Sequence, residues 1–469
     1  MENITIMADE EKSYNCQEGS RLSSADNYIA FKDNIPYRQE GAGMQVRKTI
    51  KIPIHYDTTN TKVGILDRLT SRITYCIRLV SGLIDENTKL DRTTIRKLVK
   101  DSNIIELTGL SYGFRDQCID KAIWVWKSYN KQHKRWGIQV IRAEERVASA
   151  RDEKEKTKRT TSLEKLLKRE PSKPDFRNKT PCRIDYRTGK IEQSESKLTP
   201  LWMHVSTLRK GKTIDVPLNP SHYHLTQLHN AEINDFELIK HGKKYYVHVT
   251  ITKVIENKAI ISIGGIDQGL NKSLAVVLLT EPFPREEQLL DSAKRELLDK
   301  YDAMVASLQE AEKRDKLREL RNKRANVALY HDWCLANQVA DFTEGSYIAI
   351  GNSQFRQTQF RGNGMPKLRK RIGKWSYGRQ RTFITLKRAE RGYPTELRDE
   401  YGTSRKCHHC HSMLTTRKWG DGYSYILCHD CGGKTDADIN AGYNIATQCR
   451  DDRLKVQMNM VGGKPHASA

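Results

Sequence analysis

The stretch CHDCGGKTDADINAGYNIA, residues 428–446, completes a cysteine pair, presents two closely spaced aspartates and then runs into an apolar pattern. Cys428 and Cys431 have a matching pair upstream in Cys407 and Cys410, with seventeen residues between the two pairs. Each pair can wrap two thiolates around one ion, and four thiolates close a tetrahedral zinc shell with no open position. The interval includes KWGDGYSYILC, which supplies a turn and a short strand, so the spacing predicts a zinc ribbon. Such a shell is structural, because a saturated ion cannot activate water. His408, His409, His411 and His429 crowd the same region, but the four cysteines already satisfy the ion.

Working outward, Asp436 and Asp438 stand just before a helix expected to begin near Ile439. Far upstream, GIDQGLNKSLAVVLL (265–279) ends one apolar strand at Asp267 and enters another after a glycine turn. That layout projects a carboxylate from a rigid sheet edge. Clustered carboxylates are what two-ion hydrolysis of a phosphodiester needs, and magnesium favours such oxygen ligands. Aspartates in these places also serve as plain turn and helix caps, and spacing does not separate the two roles.

The 469 residues suffice for about three domains. Lysine and arginine number 81 against 58 acidic residues, a net charge of +23 that points to a polyanionic partner such as nucleic acid. No run reaches the ~18 apolar residues of a membrane span. The opening MENITIMADEEKSYNCQEGS lacks the basic-then-apolar layout of a secretory signal, so a cytoplasmic chain is expected. Of ten cysteines, Cys16, Cys76, Cys118, Cys182, Cys334 and Cys449 stand alone, which suits a reducing compartment with one metal site.

Residues 1–43 are polar and without a sustained period, and read as flexible. Alternation from Val46 to Tyr56 predicts a strand; Leu66, Leu69, Ile73, Ile77 and Val80 then define one helical face. KAIWVWKSYNKQHKRW (121–136) interleaves tryptophans with basic residues, a pattern that serves either base stacking or a helical core. The charged run from Arg142 to Lys168 reads as a solvated helix or hairpin, and Arg169 to Thr199 as a loop. Strands are expected at LWMHVSTL and KKYYVHVTITKVI, and a long helical region from Glu287 to Phe342. SYIAI follows as a strand and YGRQRTFITLKRAERG as a helix stopping at Gly392. Between them RQTQFRGNGMPKLRKRIGKWSYGRQR (356–381) is strongly basic, a candidate contact for phosphates, with Phe360, Trp375 and Tyr377 available for stacking or packing.

These motifs together resemble the transposon-encoded TnpB nucleases and their relatives, the compact type V CRISPR effectors and the Fanzor proteins. GIDQG is similar to the first RuvC-like motif of that group, and TSRKCHHC to its T-S-x-x-C-x-x-C segment. CHDCGGKTDADINAGYNIA resembles its C-x-x-C-G, followed by an acidic residue, D-x-N-A and N-I. The likeness covers about residues 245–447. It implies an α+β multidomain fold with an N-terminal β-barrel or wedge carrying a helical recognition insertion. A C-terminal RuvC-like (RNase H-like) α/β domain with an inserted zinc ribbon would follow. The implied boundaries are a flexible 1–43, a guide- and target-binding region 44–244, a first nuclease part 245–400 and a ribbon 401–434. The last nuclease motif falls at 435–450 and a tail at 451–469.

By the same resemblance Asp267 is the first catalytic carboxylate and Asp438 the last, while Asp436 falls on a neighbouring position. The third departs from the pattern. Typical members end a strand with an apolar run and then glutamate, whereas YIAIGNSQF places Gly351 there. In rearranged members the glutamate lies three residues before the T-S pair, which here is Thr403-Ser404, so Glu400 takes that place. Glu344 is at the wrong end of the SYIAI strand to substitute. The implied sites are Asp267, Glu400 and Asp438 for catalytic Mg2+, and Cys407, Cys410, Cys428 and Cys431 for structural Zn2+. The implied activity is an RNA-guided DNA endonuclease, its guide RNA directing it to double-stranded DNA beside a short flanking motif and single-stranded DNA entering the site. The alternative is a nuclease-inactive RNA-guided DNA binder that blocks its target. No membrane is involved, and the chain acts as a monomer or an asymmetric homodimer.

Overall fold

The computed structural model describes residues 37–40, 43–177, 179–269, 272–279, 286–290, 293–352, 372, 375–420 and 423–461. The expected flexible segment 1–43, apart from 37–40 and 43, lies outside the described residues, as does the basic loop at 356–371. The chain forms two compact units, one of residues 48–252 and one of 1–47 with 253–469.

Elements are numbered along the chain. Two strands open it, β1 (Tyr37–Glu40) and β2 (Gly43–Pro53). Five helices follow: α1 (Asn60–Gly82), α2 (Arg92–Lys100), α3 (Ile104–Thr108), α4 (Tyr112–Ala148) and α5 (Glu153–Leu167). Thr59 caps α1 by accepting from Lys62 N, and Leu66, Leu69, Ile73, Ile77 and Val80 form its buried face as their spacing predicts. On α4 the three tryptophans divide. Trp126 is buried and donates to Ser81 Oγ at 2.9 Å, Trp136 donates to Leu166 O at 3.0 Å, and Trp124 is 62% exposed. The charged run from Arg142 is a hairpin of α4 and α5, with no buried residue on α5.

Beyond it come β3 (Cys182–Ile184), β4 (Gly189–Gln193), β5 (Leu201–Ser206), β6 (Thr213–Pro217), α6 (His222–Leu228), β7 (Glu232–His241) and β8 (Lys244–Glu256). The segment 169–199 therefore holds two strands where a loop is expected; an alternation as short as Cys182–Arg183–Ile184 is too brief to register as a period. The expected N-terminal barrel is not formed. The sheets run β1-β2-β8-β7-β3 and β4-β5-β6, and none closes among the described residues. Closure needs a continuous staggered ladder between first and last strands. Here the edges of the larger sheet are β1 and β3, of four and three residues, and β4 pairs with β5 instead.

The larger unit holds β9 (Ser262–Asp267), β10 (Leu274–Leu279), β11 (Glu286–Leu290), α7 (Lys294–Glu310), α8 (Arg314–Phe342) and β12 (Ser346–Gly351). It continues with α9 (Tyr377–Ala389), β13 (Thr395–Arg398), β14 (Thr415–Gly420), β15 (Tyr423–Cys428), β16 (Lys434–Asp436) and α10 (Ala437–Val461). Its main sheet has the order β11-β10-β9-β12-β13. The first three strands are antiparallel, and β12 and β13 run parallel to β9. The expected helical region from Glu287 thus opens with a strand, because EEQLL pairs with β10 before α7 begins.

Ile266, Leu274, Val276, Ile348 and Ile350 pack with Leu335 and Val339 of α8 and Ile384 of α9 to form the core of this sheet. Arg388 of α9 is fully buried, donating to Thr343 O at 2.8 Å and to Thr395 Oγ1 at 3.1 Å, which ties together the approaches to β12 and β13. α10 crosses β9 so closely that a Cβ at Gly265 would lie 2.2 Å from Gly442 O, which restricts that position to glycine. No described helix is long and apolar enough to cross a membrane.

Candidate active site and metal centre

The cysteine pairs converge. Cys407 Sγ lies 3.7 Å from Cys431 Sγ and Cys410 Sγ 3.5 Å from Cys428 Sγ, and all four sulfurs lie within 4.8 Å of one another. Tetrahedral thiolates at the usual zinc–sulfur length stand about 3.8 Å apart, so this set can hold a metal ion. Its frame is the three-stranded sheet β14-β15-β16 and a turn in which Cys407 N donates to Ser412 O at 2.9 Å. The backbone N–H of Cys431, foremost, holds the Cys428 thiol down to about 7. The histidines are not part of the set. His408 is buried and stacks on Tyr443 with ring centroids 4.5 Å apart, and His429 pairs with Thr416 Oγ1 at 2.6 Å.

Asp267 is the last residue of β9, and Ile266 pairs with Ile350, one residue before Gly351 at the end of β12. Gly351 in turn pairs with Arg398, the last residue of β13, and Glu400 follows two positions on. Asp267, Gly351 and Glu400 therefore all emerge at the C-terminal ends of three adjacent parallel strands, where open α/β sheets place ligands. A Cβ built on Gly351 would fall 2.0 Å from Glu400 Oε1 and 2.6 Å from its Cδ. The Glu400 side chain occupies the volume that a side chain at 351 would need.

Asp438 arrives from the other direction, on the first turn of α10. The cap of this helix is Asp436, whose Oδ1 accepts from Asp438 N at 2.8 Å and Ile439 N at 3.2 Å. That leaves capping to the neighbour and turns Asp438 toward the sheet: its Oδ2 would lie 3.1 Å from a Cβ at Gly269, just past Asp267. Burial, then Glu400 and Asp438, push the Asp267 carboxyl well above the usual carboxylate range. Burial and Asp436 raise Asp438, and the Tyr377 hydroxyl is raised by burial and by Asp267, Glu400 and Asp438.

One cation faces this cluster from the ribbon. Arg417 on β14 has Nη2 3.7 Å from Asp438 Oδ1 and opposes the upward shifts of both Asp267 and Asp438. Nothing in the sequence singles it out from 81 basic residues. Glu344 is a turn residue 3.5 Å from Lys258 Nζ, ahead of β12 and away from its C-terminal end. Trp375 and Tyr377 belong to packing: Lys294 Nζ sits 4.2 Å from the Trp375 ring centroid, and Tyr377 is buried.

Residues 377–445, spanning α9, β13, the ribbon and the start of α10, match the family described as Cas12f1-like, TNB domain. The chain is 22% identical over 228 residues to the TnpB-like protein aq_aa05 of Aquifex aeolicus (strain VF5), covering 44% of this chain and 74% of that protein. Among solved structures it is similar to a Cas12f1–sgRNA–target DNA complex, at 16% identity and TM-score 0.32 over 86% of this chain and 99% of that one. It is also similar to the AacC2c1–sgRNA binary complex, at 9% identity and TM-score 0.49 over 85% and 89%. With its ribbon segment matched to one branch and its longer alignment to the other, the chain is a relative of the TnpB and Cas12-like proteins.

Proposed function

We propose that this chain is a magnesium-dependent RNA-guided DNA endonuclease whose acidic site is Asp267, Glu400 and Asp438. The carrying observation is that the Glu400 carboxylate fills the space beside Gly351, at the same parallel-strand ends as Asp267. A chain that merely carried an exposed acidic loop would have no reason to fold its side chain into that volume. The strand order β11-β10-β9-β12-β13 supports the RuvC-like reading of the domain.

The donor set fits a hard divalent ion: the oxygens are carboxylates only, and the Asp267 carboxyl, raised by burial and then by Glu400 and Asp438, is a group whose ionised form a cation would favour. Bound magnesium would supply charge neutralisation and an activated water at the scissile phosphate. The residues do the rest. Asp267 offers its oxygens from the end of β9, Glu400 from just beyond β13 and Asp438 from the helix start, so carboxylates from separate elements would hold the ions that two-metal hydrolysis uses. Arg417 brings a guanidinium to the rim beside Asp438, where its charge favours the ionised forms of Asp267 and Asp438. The four cysteines take structural zinc.

Guide RNA and target DNA are the partners this reading requires. Base pairing supplies most of the sequence recognition, and the chain's charge of +23 supplies phosphate attraction. Trp124, 62% exposed with Lys121 Nζ 4.9 Å from its ring centroid, is a candidate stacking platform. The test is to purify the chain with its native RNA and incubate it with labelled matching DNA. Cleavage with magnesium that disappears in Glu400→Gln supports the proposal. Guide-dependent binding without cleavage refutes it in favour of a blocking protein.

A further inference from the structure

Relocating a carboxylate from a strand to a loop creates a mechanical problem, because a loop does not hold a side chain as a sheet does. Between Glu400 and Cys407 the chain has only turns, yet Thr403 is 3% exposed. Two asparagines one helical turn apart on α10 account for this. Asn440 Nδ2 donates to Thr403 O at 3.1 Å and to Lys406 O at 2.8 Å. Asn444 Nδ2 donates to the same two carbonyls, each at 2.7 Å. Both side chains are buried, at 1% and 3% exposure.

The stoichiometry is complete. Two amide groups carry four N–H protons, and two carbonyl oxygens carry four lone pairs, so every donor and acceptor is used. Asn440 Oδ1 is taken as well, accepting from His408 N at 3.0 Å, just past Cys407. The clamp reaches Glu400 through a turn in which Thr403 N and Thr403 Oγ1 donate to Glu400 O at 3.2 and 2.9 Å. A charged donor in place of either amide would bring an unpaired cation into a buried site, and an apolar one would leave carbonyls unsatisfied.

We propose that Asn440 and Asn444 are positioning residues that fix Glu400 in the acidic cluster, locking the loop that carries it to the helix that carries Asp438. The proposal rests on the reading of Asp267, Glu400 and Asp438 as a divalent-ion site. It makes the second half of 428–446 the counterpart of the missing strand glutamate: the helix supplies the rigidity that the strand no longer does.

A double-mutant cycle on the full chain tests it, using Mn2+ as the probe in the absence of RNA so that phosphates do not compete. Asn444→Leu, Glu400→Gln and the double variant are titrated calorimetrically, with bound zinc counted in each. Asn444→Leu is expected to weaken Mn2+ binding by about 10- to 100-fold with zinc retained, the range for residues that orient a ligand. The double variant should bind no more weakly than Glu400→Gln alone. Losses that multiply, or an Asn444→Leu chain that binds Mn2+ like the parent, overturn the proposal. If Asn444→Leu loses its zinc, Asn444→Gln, which keeps both N–H donors one methylene further out, takes its place in the same cycle under the same two criteria. A parent that shows the non-multiplying cycle yet leaves matched DNA intact with magnesium refutes the nuclease reading and leaves this inference standing.

Discussion

Gly351 and Glu400 compete for one volume: the Cβ that any other residue at 351 would carry falls 2.0 Å from Glu400 Oε1. A side chain at the end of β12 and the Glu400 side chain from beyond β13 therefore exclude one another. Glu400→Gln should lower guide-directed cleavage by about 100-fold or more, since an ion ligand supplies several kcal/mol of transition-state stabilisation. Gly351→Glu alone should also lose activity, through collision with Glu400. Gly351→Glu combined with Glu400→Gly returns the carboxylate to the strand and should recover part of the rate. A combined variant no faster than Glu400→Gln would argue against a shared ion position.

Holding the acidic cluster together without metal costs the fold stability. Asp267 has a folded-state pKa raised above its unfolded value by burial and by Glu400 and Asp438. The folded chain binds that proton more tightly than the unfolded one, so the ionised group disfavours folding above the unfolded pKa and ceases to do so as pH falls below it. Asp267→Asn should accordingly raise the melting temperature of the metal-free chain at pH 7–8, with the advantage shrinking toward pH ~4. Magnesium should raise the melting temperature of the parent more than that of the variant. A variant less stable than the parent at every pH would contradict the cluster's electrostatics.

How far the sequence reveals this site depends on the distance over which each feature is encoded. The two C-x-x-C pairs are local spacings, and the thiolates meet as the spacing predicts. Asp267 is marked by the apolar strand it ends, and Asp438 by the helix it begins. Glu400 has no such local marker: its meaning depends on Gly351, forty-nine residues away in sequence and on the adjacent strand. Arg417 is legible only once β14 is folded beside α10. The strand β11 and the open N-terminal sheets were hidden for a related reason. EEQLL carries no alternation, and whether edge strands close into a ring is set by pairings that no single segment contains.

Removing the ribbon's metal should reach the acidic site. Cys407 is one residue past Lys406, whose carbonyl the two α10 asparagines hold. Structural zinc supplies folding free energy outright, so its loss frees this segment. Cys410→Ser, at the more exposed of the first pair of ligands, should lower bound zinc below one per chain and speed amide exchange across 400–412. It should abolish cleavage while guide RNA binding persists. Unchanged exchange at Thr403 in the zinc-depleted chain would show that the asparagine clamp holds without the ribbon.

Arg417 offers the sharpest separation of binding from chemistry. Its side chain is 53% exposed and its Nη2 lies 3.7 Å from Asp438 Oδ1, so as a surface pair it adds little to stability. Its effect on the carboxylates is more specific, because it opposes the burial and like charges that raise Asp267 and Asp438. Without it both groups hold their protons to higher pH, and fewer chains present the ionised set that a divalent ion needs. Arg417→Ala should therefore slow cleavage about tenfold or more, as removal of a preorganised charge near a reacting phosphate does, while target affinity changes little. The deficit should be larger at pH 6 than at pH 8, and magnesium in excess should narrow it by competing with the protons. Arg417→Lys, which keeps the charge and loses the planar fork, should recover the pH profile but not the full rate. A loss equal at all pH values, or one that tracks weakened DNA binding, would place Arg417 in substrate capture instead.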